Sequence, residues 1–253
     1  MEEPKTKIGV GHALSSGYNI WQNHFSIIIA ITLSIIGLPL MLQSYIEISV
    51  DEESLIRFLS SLAQLIVGFA NLALSLGILK LTFDSYQHET PADEDQLTTH
   101  YLKFALNNIF RFIPYAIGAG FIVLGYTLLL IIPGIYKLTR LTFFDCFFVV
   151  GKDQPIDESE ELVEGRWGKV FVFLLLTGSL NIGITLFSIV IIYLLFGDEL
   201  TESIQTLLLV FIIQVAVSLV GTYITVVKGV YFMNLLNYDK ELKKLESPID
   251  DVD

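Results

Sequence analysis

The sequence has few of the side chains that build metal, disulfide or cysteine-based sites. It contains one cysteine, Cys146, and four histidines among 253 residues. A single cysteine excludes a disulfide framework and a cysteine-based metal site. The histidines are scattered along the chain, and no two of them form the i, i+4 pair of a zinc-binding helix. We therefore expect no metal site and no cofactor.

Catalytic motifs are missing as well. The chain contains no phosphate-binding loop, no dinucleotide-binding glycine pattern and no nucleophile elbow. An intramembrane protease would need a serine with a histidine, or two aspartates, inside apolar segments, and neither pair is found there. We expect a protein that is not an enzyme.

Charge is scarce and mostly acidic. Charged residues make up 17% of the chain and hydrophobic residues 53%, with a formal net charge of −12 and a mean hydropathy of +0.64. Binding to nucleic acid phosphates needs clustered lysine and arginine. This composition excludes nucleic acid as a partner and favours the lipid bilayer.

Long apolar runs dominate what is present. A helix needs about 20 apolar residues to cross roughly 30 Å of hydrocarbon. Five uncharged runs reach that length, and a sixth, 134–151, contains three charges; the five are 25–46, 58–79, 112–132, 170–196 and 203–227. The first run is too long for the core of a signal peptide, so we expect it to be retained. The runs predict an all-α polytopic membrane protein with about six transmembrane helices in three hairpins. It forms one transmembrane domain, 1–245, and a short acidic cytoplasmic tail, 246–253.

The basic residues predict the orientation. On a six-span topology, twelve of the 15 lysines and arginines fall on the side of the two termini. Arg57, Lys137 and Arg140 fall on the opposite side, where the loops at 47–53 and 198–202 are acidic and the third connection is a tight Pro133–Gly134 turn. Because basic residues favour the cytoplasmic side, we expect a multi-pass protein of the inner (cytoplasmic) membrane with both termini in the cytoplasm.

An amphipathic segment precedes each predicted hairpin. The apolar residues within 10–21, 97–109 and 156–167 recur at helical spacing. Such segments beside a membrane are typical of helices that lie in the headgroup plane. The third segment is strongly acidic, which indicates either a solvated face or a docking surface for a basic protein partner. Its candidate docking residues are Ser159, Leu162, Gly165 and Trp167.

Five polar residues inside the apolar runs are candidates for a functional role. Charges in a bilayer usually face protein or water. Lys137 and Arg140 are close enough to the predicted outer turn for their side chains to reach the outer interface. Asp145 is deeper, so it is protonated, paired with Arg140 or Lys137, or exposed to an aqueous cavity. Asn181 and Gln214 either connect helices or line a polar path.

Two stretches resemble a known family. One is 13–21, ALSSGYNIW; the other begins with Ile-Pro-Gly at 132–134, continues to Arg140, and ends with Ser159 and Gly165 before another apolar run. This pattern resembles bacterial multi-pass families of unknown function related to the membrane domain of some glycerophosphodiester phosphodiesterases. Pro155 replaces the alanine usual in those families. The resemblance implies a non-catalytic membrane domain and an architectural role for Arg140.

Two functions follow as hypotheses. The first is an accessory or scaffold component that docks partners through its cytoplasmic amphipathic helices. The alternative is a small transporter or permease whose polar path is lined by Arg140, Asp145, Asn181 and Gln214. The two differ in whether a water-filled cavity reaches Asp145.

Overall fold

The computed structural model describes residues 9–37, 39, 41, 53–87, 94–196 and 204–246, and within them the chain is helical, with no strand. We number the α-helices in chain order. A π-helical turn, Leu33–Gly37, continues the second of them. The helices are α1 Val10–Asn23, α2 Phe25–Thr32, α3 Glu53–Gln87, α4 Glu94–Leu129, α5 Ile131–Arg140, α6 Phe144–Val149, α7 Pro155–Val163, α8 Trp167–Phe196 and α9 Ile204–Glu246.

Four of these helices are long and apolar enough to cross a membrane. The qualifying segments are Phe58–Gln87, Gln96–Leu129, Trp167–Ser188 and Phe211–Leu242. The pair α1 and α2, with its π-helical turn, counts as a fifth if its 77° bend is allowed within one span. The expectation of an all-α protein with apolar helices suited to a membrane is confirmed. The described residues give four or five such helices, whereas the sequence predicted about six.

The sixth apolar run is not one helix, so the prediction of a single span over 134–151 is wrong. Helix α5 ends at Arg140, a turn occupies 141–143, and α6 begins at Phe144. The predicted Pro133–Gly134 turn is also wrong. The chain reverses at Leu130, which has extended backbone angles, and both residues lie in the first turn of α5. Proline is tolerated there because the first helical N–H groups have no intrahelical acceptor.

The three amphipathic segments adopt different structures. The first is the separate helix α1, and the third is the separate helix α7, which Gly165 follows with a φ of 74°. The second is continuous with the apolar run after it, within the 36 residues of α4.

Helix α1 packs on α9, and the two helices run antiparallel. The Nδ1 atom of His12 lies 3.4 Å from the amide nitrogen of Asn234, and Trp21 donates a hydrogen bond to Thr222 over 3.1 Å. Between them, a Cβ atom on Gly17 would lie 2.8 Å from Val227. The first amphipathic segment is therefore in contact with the helical bundle along its length.

A cluster of aromatic side chains joins α6, α8 and α9. Phe173 of α8 stacks on Tyr231 of α9, with ring centroids 4.4 Å apart. Phe147 of α6 packs edge-on to Phe232 at 4.9 Å, and Phe143 lies 5.8 Å from the same ring. All five rings are buried, and each aromatic pair contributes about 0.5–1.5 kcal/mol beyond its buried area. The cluster fixes α6 and α8 against the carboxyl-terminal half of α9.

Some predicted features lie outside the described residues. They are most of the two acidic loops, 47–52 and 198–202, and the acidic tail beyond Glu246. Glu53, predicted to be in the first of these loops, begins α3.

Candidate functional site

Ser159 of α7 closes the break between α5 and α6. Its hydroxyl donates a hydrogen bond to the carbonyl of Arg140 over 2.7 Å and accepts one from the N–H of Phe143 over 3.1 Å. A helix break leaves backbone groups without partners, and a buried unpaired group costs about 1–3 kcal/mol. Ser159 is fully buried. Its side chain satisfies backbone groups at the helix break and is not part of an exposed docking surface.

Lys137 and Arg140 converge on Glu160 of α7. The ammonium group of Lys137 contacts both carboxylate oxygens of Glu160, at 2.8 and 3.0 Å. The Nη2 atom of Arg140 donates to the backbone oxygen of Glu160 over 3.2 Å and lies 3.7 Å from its carboxylate. The prediction that these two cations reach the interface opposite the third amphipathic segment is wrong, because both contact that segment directly.

Asp145 pairs with Lys228 of α9. One of its carboxylate oxygens accepts a hydrogen bond from Lys228, and the other accepts the N–H of Cys146 over 2.9 Å. The predicted pairing of Asp145 with Arg140 or Lys137 is wrong, since Glu160 engages both. The side chains of Asp145 and Lys228 are 10% and 23% exposed. Each therefore needs the other, because an unpaired charge at this burial is costly.

The remaining candidate docking residues make internal contacts. Leu162 is buried, and Trp167 packs against Tyr136 at 5.8 Å and stacks on Phe171 at 4.9 Å. Gly165 lies in the turn between α7 and α8, where its positive φ favours glycine. What α7 exposes is acidic: Asp157, Glu161 and, just beyond its end, Glu164.

Asn181 and Gln214 do not join the charged residues of the short helices. Asn181 is exposed on α8, and Gln214 is partly buried on α9, where its Oε1 atom has no hydrogen-bond partner. Neither amide lines either of the two cavities described below, and neither do Arg140 and Asp145. Within the described part of the chain, the four residues do not assemble into one path.

A polar cleft lies between α7, the end of α3 and the carboxyl-terminal part of α9. Its volume is about 730 Å³, and its lining includes Glu158 and Glu161 of α7 and Asp239 of α9. Two ion pairs form its walls: Lys152 with Glu158 at 3.0 Å, and Arg166 with Asp239 at 2.6 Å. We call this cavity the polar cleft.

A second cavity, of about 610 Å³, is mainly apolar. It lies between α4 and α5 on one side and α8 and α9 on the other, and Lys228 is the charged residue in its lining. The hydroxyl groups of Thr127 and Thr142, which also line it, are bonded to carbonyls of their own segments. The cavity borders the Asp145–Lys228 pair without forming an acidic or amide-lined channel.

Several polar contacts between distant residues carry no signal in the sequence. Tyr86 of α3 donates to Asn234 of α9 over 2.8 Å, and Asn234 in turn approaches His12. The ring of His24 lies 3.0 Å from the hydroxyl of Ser85. No short spacing could have revealed these partners, because they are 61 to 222 positions apart.

The described residues contain no cluster of three histidine, cysteine, aspartate or glutamate side chains that could hold a metal ion. Comparisons of the chain with protein-family models, with curated proteins and with solved structures found no match. The resemblance to the phosphodiesterase-related membrane families therefore stays a prediction.

Proposed function

We propose that this chain is a non-enzymatic integral protein of the inner membrane that holds a partner protein at its cytoplasmic face, in the polar cleft. The observation that carries the proposal is the cleft itself, which is bounded by the third amphipathic segment and by the end of α9. The predicted family resemblance implies the same class of accessory protein.

The positions of the basic residues support a cytoplasmic cleft. The sequence predicts the outer side for Lys137 and Arg140, but both contact Glu160 of α7, which supports assigning them to the side of α7. Arg57 is then the remaining basic residue assigned to the outer side. The excess of lysine and arginine on the side of the cleft favours the cytoplasm for that side.

Charge favours a basic segment as the partner. The α7 side of the cleft presents Glu158, Glu161 and Glu164, and the chain has a net charge of −12. Complementary charge guides association and excludes partners of like charge. The lining carries four carboxylates against three cations, Lys152, Arg166 and Lys240, so it is acidic by one charge. The pairs of Lys152 with Glu158 and of Arg166 with Asp239 neutralise both of their members.

Charge reversal at one exposed position of the cleft tests the proposal. Glu161 and Asp157 are both exposed acidic residues of α7, but Glu161 lines the cleft and Asp157 does not. We expect Glu161→Lys to reduce the amount of cross-linked basic partner recovered from native membranes about tenfold, and Asp157→Lys to leave it unchanged. Quantitative mass spectrometry of the cross-linked material measures this. Equal recovery with both variants would contradict docking in the cleft.

A further inference from the structure

Helix α4 is long enough to cross a membrane, but its contacts keep it at one end of the bundle. Near its start, the backbone oxygen of Tyr101 would lie 3.3 Å from a Cβ atom on Gly77, in the carboxyl-terminal half of α3. Further along, Tyr115 donates a hydrogen bond over 3.4 Å to the carbonyl of Asp153, in the loop between α6 and α7. That loop borders the polar cleft through Lys152.

The middle of α4 also contacts this end of the bundle, through α6. Phe112 stacks on Phe144 at 5.5 Å and packs against Phe148 at 5.0 Å, both in α6. Helix α6 itself is fixed to the carboxyl-terminal half of α9 by Phe147 and Phe232. The stretch from residue 101 to residue 115 is about 21 Å long, yet both of its ends contact this same end of the bundle. Helix α4 therefore lies across the bundle and not along it.

Helix α5 returns beside α4 without leaving that end. A Cβ atom on Gly134 would lie 2.8 Å from the Cα atom of Thr127, so the two helices touch. The ammonium group of Lys137 lies 5.1 Å from the ring centroid of Tyr126. Tyr136 packs at 5.8 Å against Trp167, the first residue of α8. The hairpin of α4 and α5 thus stays beside the start of α8.

The surface of this hairpin is apolar. Residues 112–136 contain no charge, and Phe121, Leu128 and Ile132 are 70%, 78% and 81% exposed. An exposed apolar patch of this kind marks a membrane or protein contact. Lys137 and Arg140 follow this uncharged segment in the chain, and both bind Glu160 of α7.

We propose that the hairpin of α4 and α5 does not cross the bilayer but inserts into the acyl chains of one leaflet, the one on the side of α7. Its partner is lipid. The charged residues that follow it, Lys137 and Arg140, remain at the headgroup level, bound to Glu160. The apolar side chains of the hairpin contact the acyl chains. The inference concerns a different surface from the polar cleft and does not depend on the proposed docking function.

A depth profile tests this proposal. Nitroxide labels are placed on single cysteines, in a Cys146→Ala background, at four exposed positions of α4: Phe110, Ile117, Phe121 and Leu128. Matched labels at four exposed positions of α3 provide the control: Phe58, Leu62, Leu65 and Phe69. Depth is measured by electron paramagnetic resonance with oxygen and a nickel chelate, in nanodiscs of phosphatidylcholine and phosphatidylglycerol.

The slope of label depth against residue number should differ between α3 and α4. Along α3, depth should change by about 1–1.5 Å per residue, as for a spanning helix. Along α4, the change should be less than half of that, with all four labels below the headgroups. A profile on α4 that deepens to the bilayer centre and becomes shallow again would overturn the proposal. So would four labels at the depth of bulk water.

Discussion

Ser159 replaces, with one hydroxyl group, the backbone hydrogen bonds that are lost where α5 ends and α6 begins. Ser159→Ala leaves the carbonyl of Arg140 and the N–H of Phe143 without this partner in a buried site. We expect a loss of about 1–3 kcal/mol in the free energy of unfolding. A lower midpoint of thermal unfolding in detergent would measure it.

Ser15 offers a matched control for this substitution. Its hydroxyl also donates to a backbone carbonyl, that of His12, but it is exposed and remains within one helix. Ser15→Ala should change the midpoint little, because water replaces the lost bond. If the two alanine variants unfolded at the same temperature, the role assigned to Ser159 would be wrong.

The pair of Asp145 and Lys228 joins α6 to α9. Lys228→Met leaves a largely buried carboxylate without its cation, and removing one partner of a buried pair costs about 3–5 kcal/mol. The double variant Lys228→Met with Asp145→Leu removes both charges and should recover much of that loss. Unfolding measured for the two single variants and the double variant tests this. A double variant less stable than either single variant would contradict a direct pairing.

Among the elements, α5 depends on the glycine at its start. In Gly134→Ala the added Cβ atom would clash with the hydroxyl oxygen of Thr127 and would lie 2.8 Å from its Cα atom. Because the second contact is with backbone, the two helices must separate. We expect a loss of about 1–3 kcal/mol in the free energy of unfolding, measured as a lower midpoint of thermal unfolding in detergent.

Gly125→Ala on α4 is the control, since a Cβ atom there meets nothing within 4 Å. Alanine in place of an exposed helical glycine should stabilise the helix by up to about 1 kcal/mol. We expect the free energy of unfolding to fall in Gly134→Ala and to rise in Gly125→Ala. A neutral Gly134→Ala variant would contradict the close packing of α5 on α4.

Hydropathy predicted some elements well and one poorly. The run 170–196 nearly coincides with α8, and 58–79 lies within α3, because a long uncharged segment in hydrocarbon has to be helical. The run 134–151 was predicted as one helix, but it breaks at 141–143. Apolar length carries no information on such a break, which depends on Ser159, a residue outside the run.

At the scale of the whole molecule, the charged contacts join residues that are far apart in the sequence. Asp145 pairs with Lys228, 83 positions away, and Arg166 pairs with Asp239, 73 positions away. The sequence identified Lys137, Arg140 and Asp145 as important charges, but it could not show which cation pairs with which carboxylate. These pairings depend on how α6, α7 and α9 pack together, and no local sequence pattern encodes that packing.

The central claim is that residues 94–166 lie on one side of the spanning helices, the side of α7. It is tested most directly by cysteine labelling with a membrane-impermeant maleimide, in a Cys146→Ala background. Leu130→Cys replaces a 68% exposed side chain at the tip of the hairpin of α4 and α5, and Gln154→Cys replaces an exposed one in the loop before α7. Gln154→Cys should be labelled in inside-out vesicles and protected in intact cells, and Leu130→Cys should stay unlabelled in intact cells. Labelling of Leu130→Cys in intact cells, with Gln154→Cys still protected, would contradict the claim.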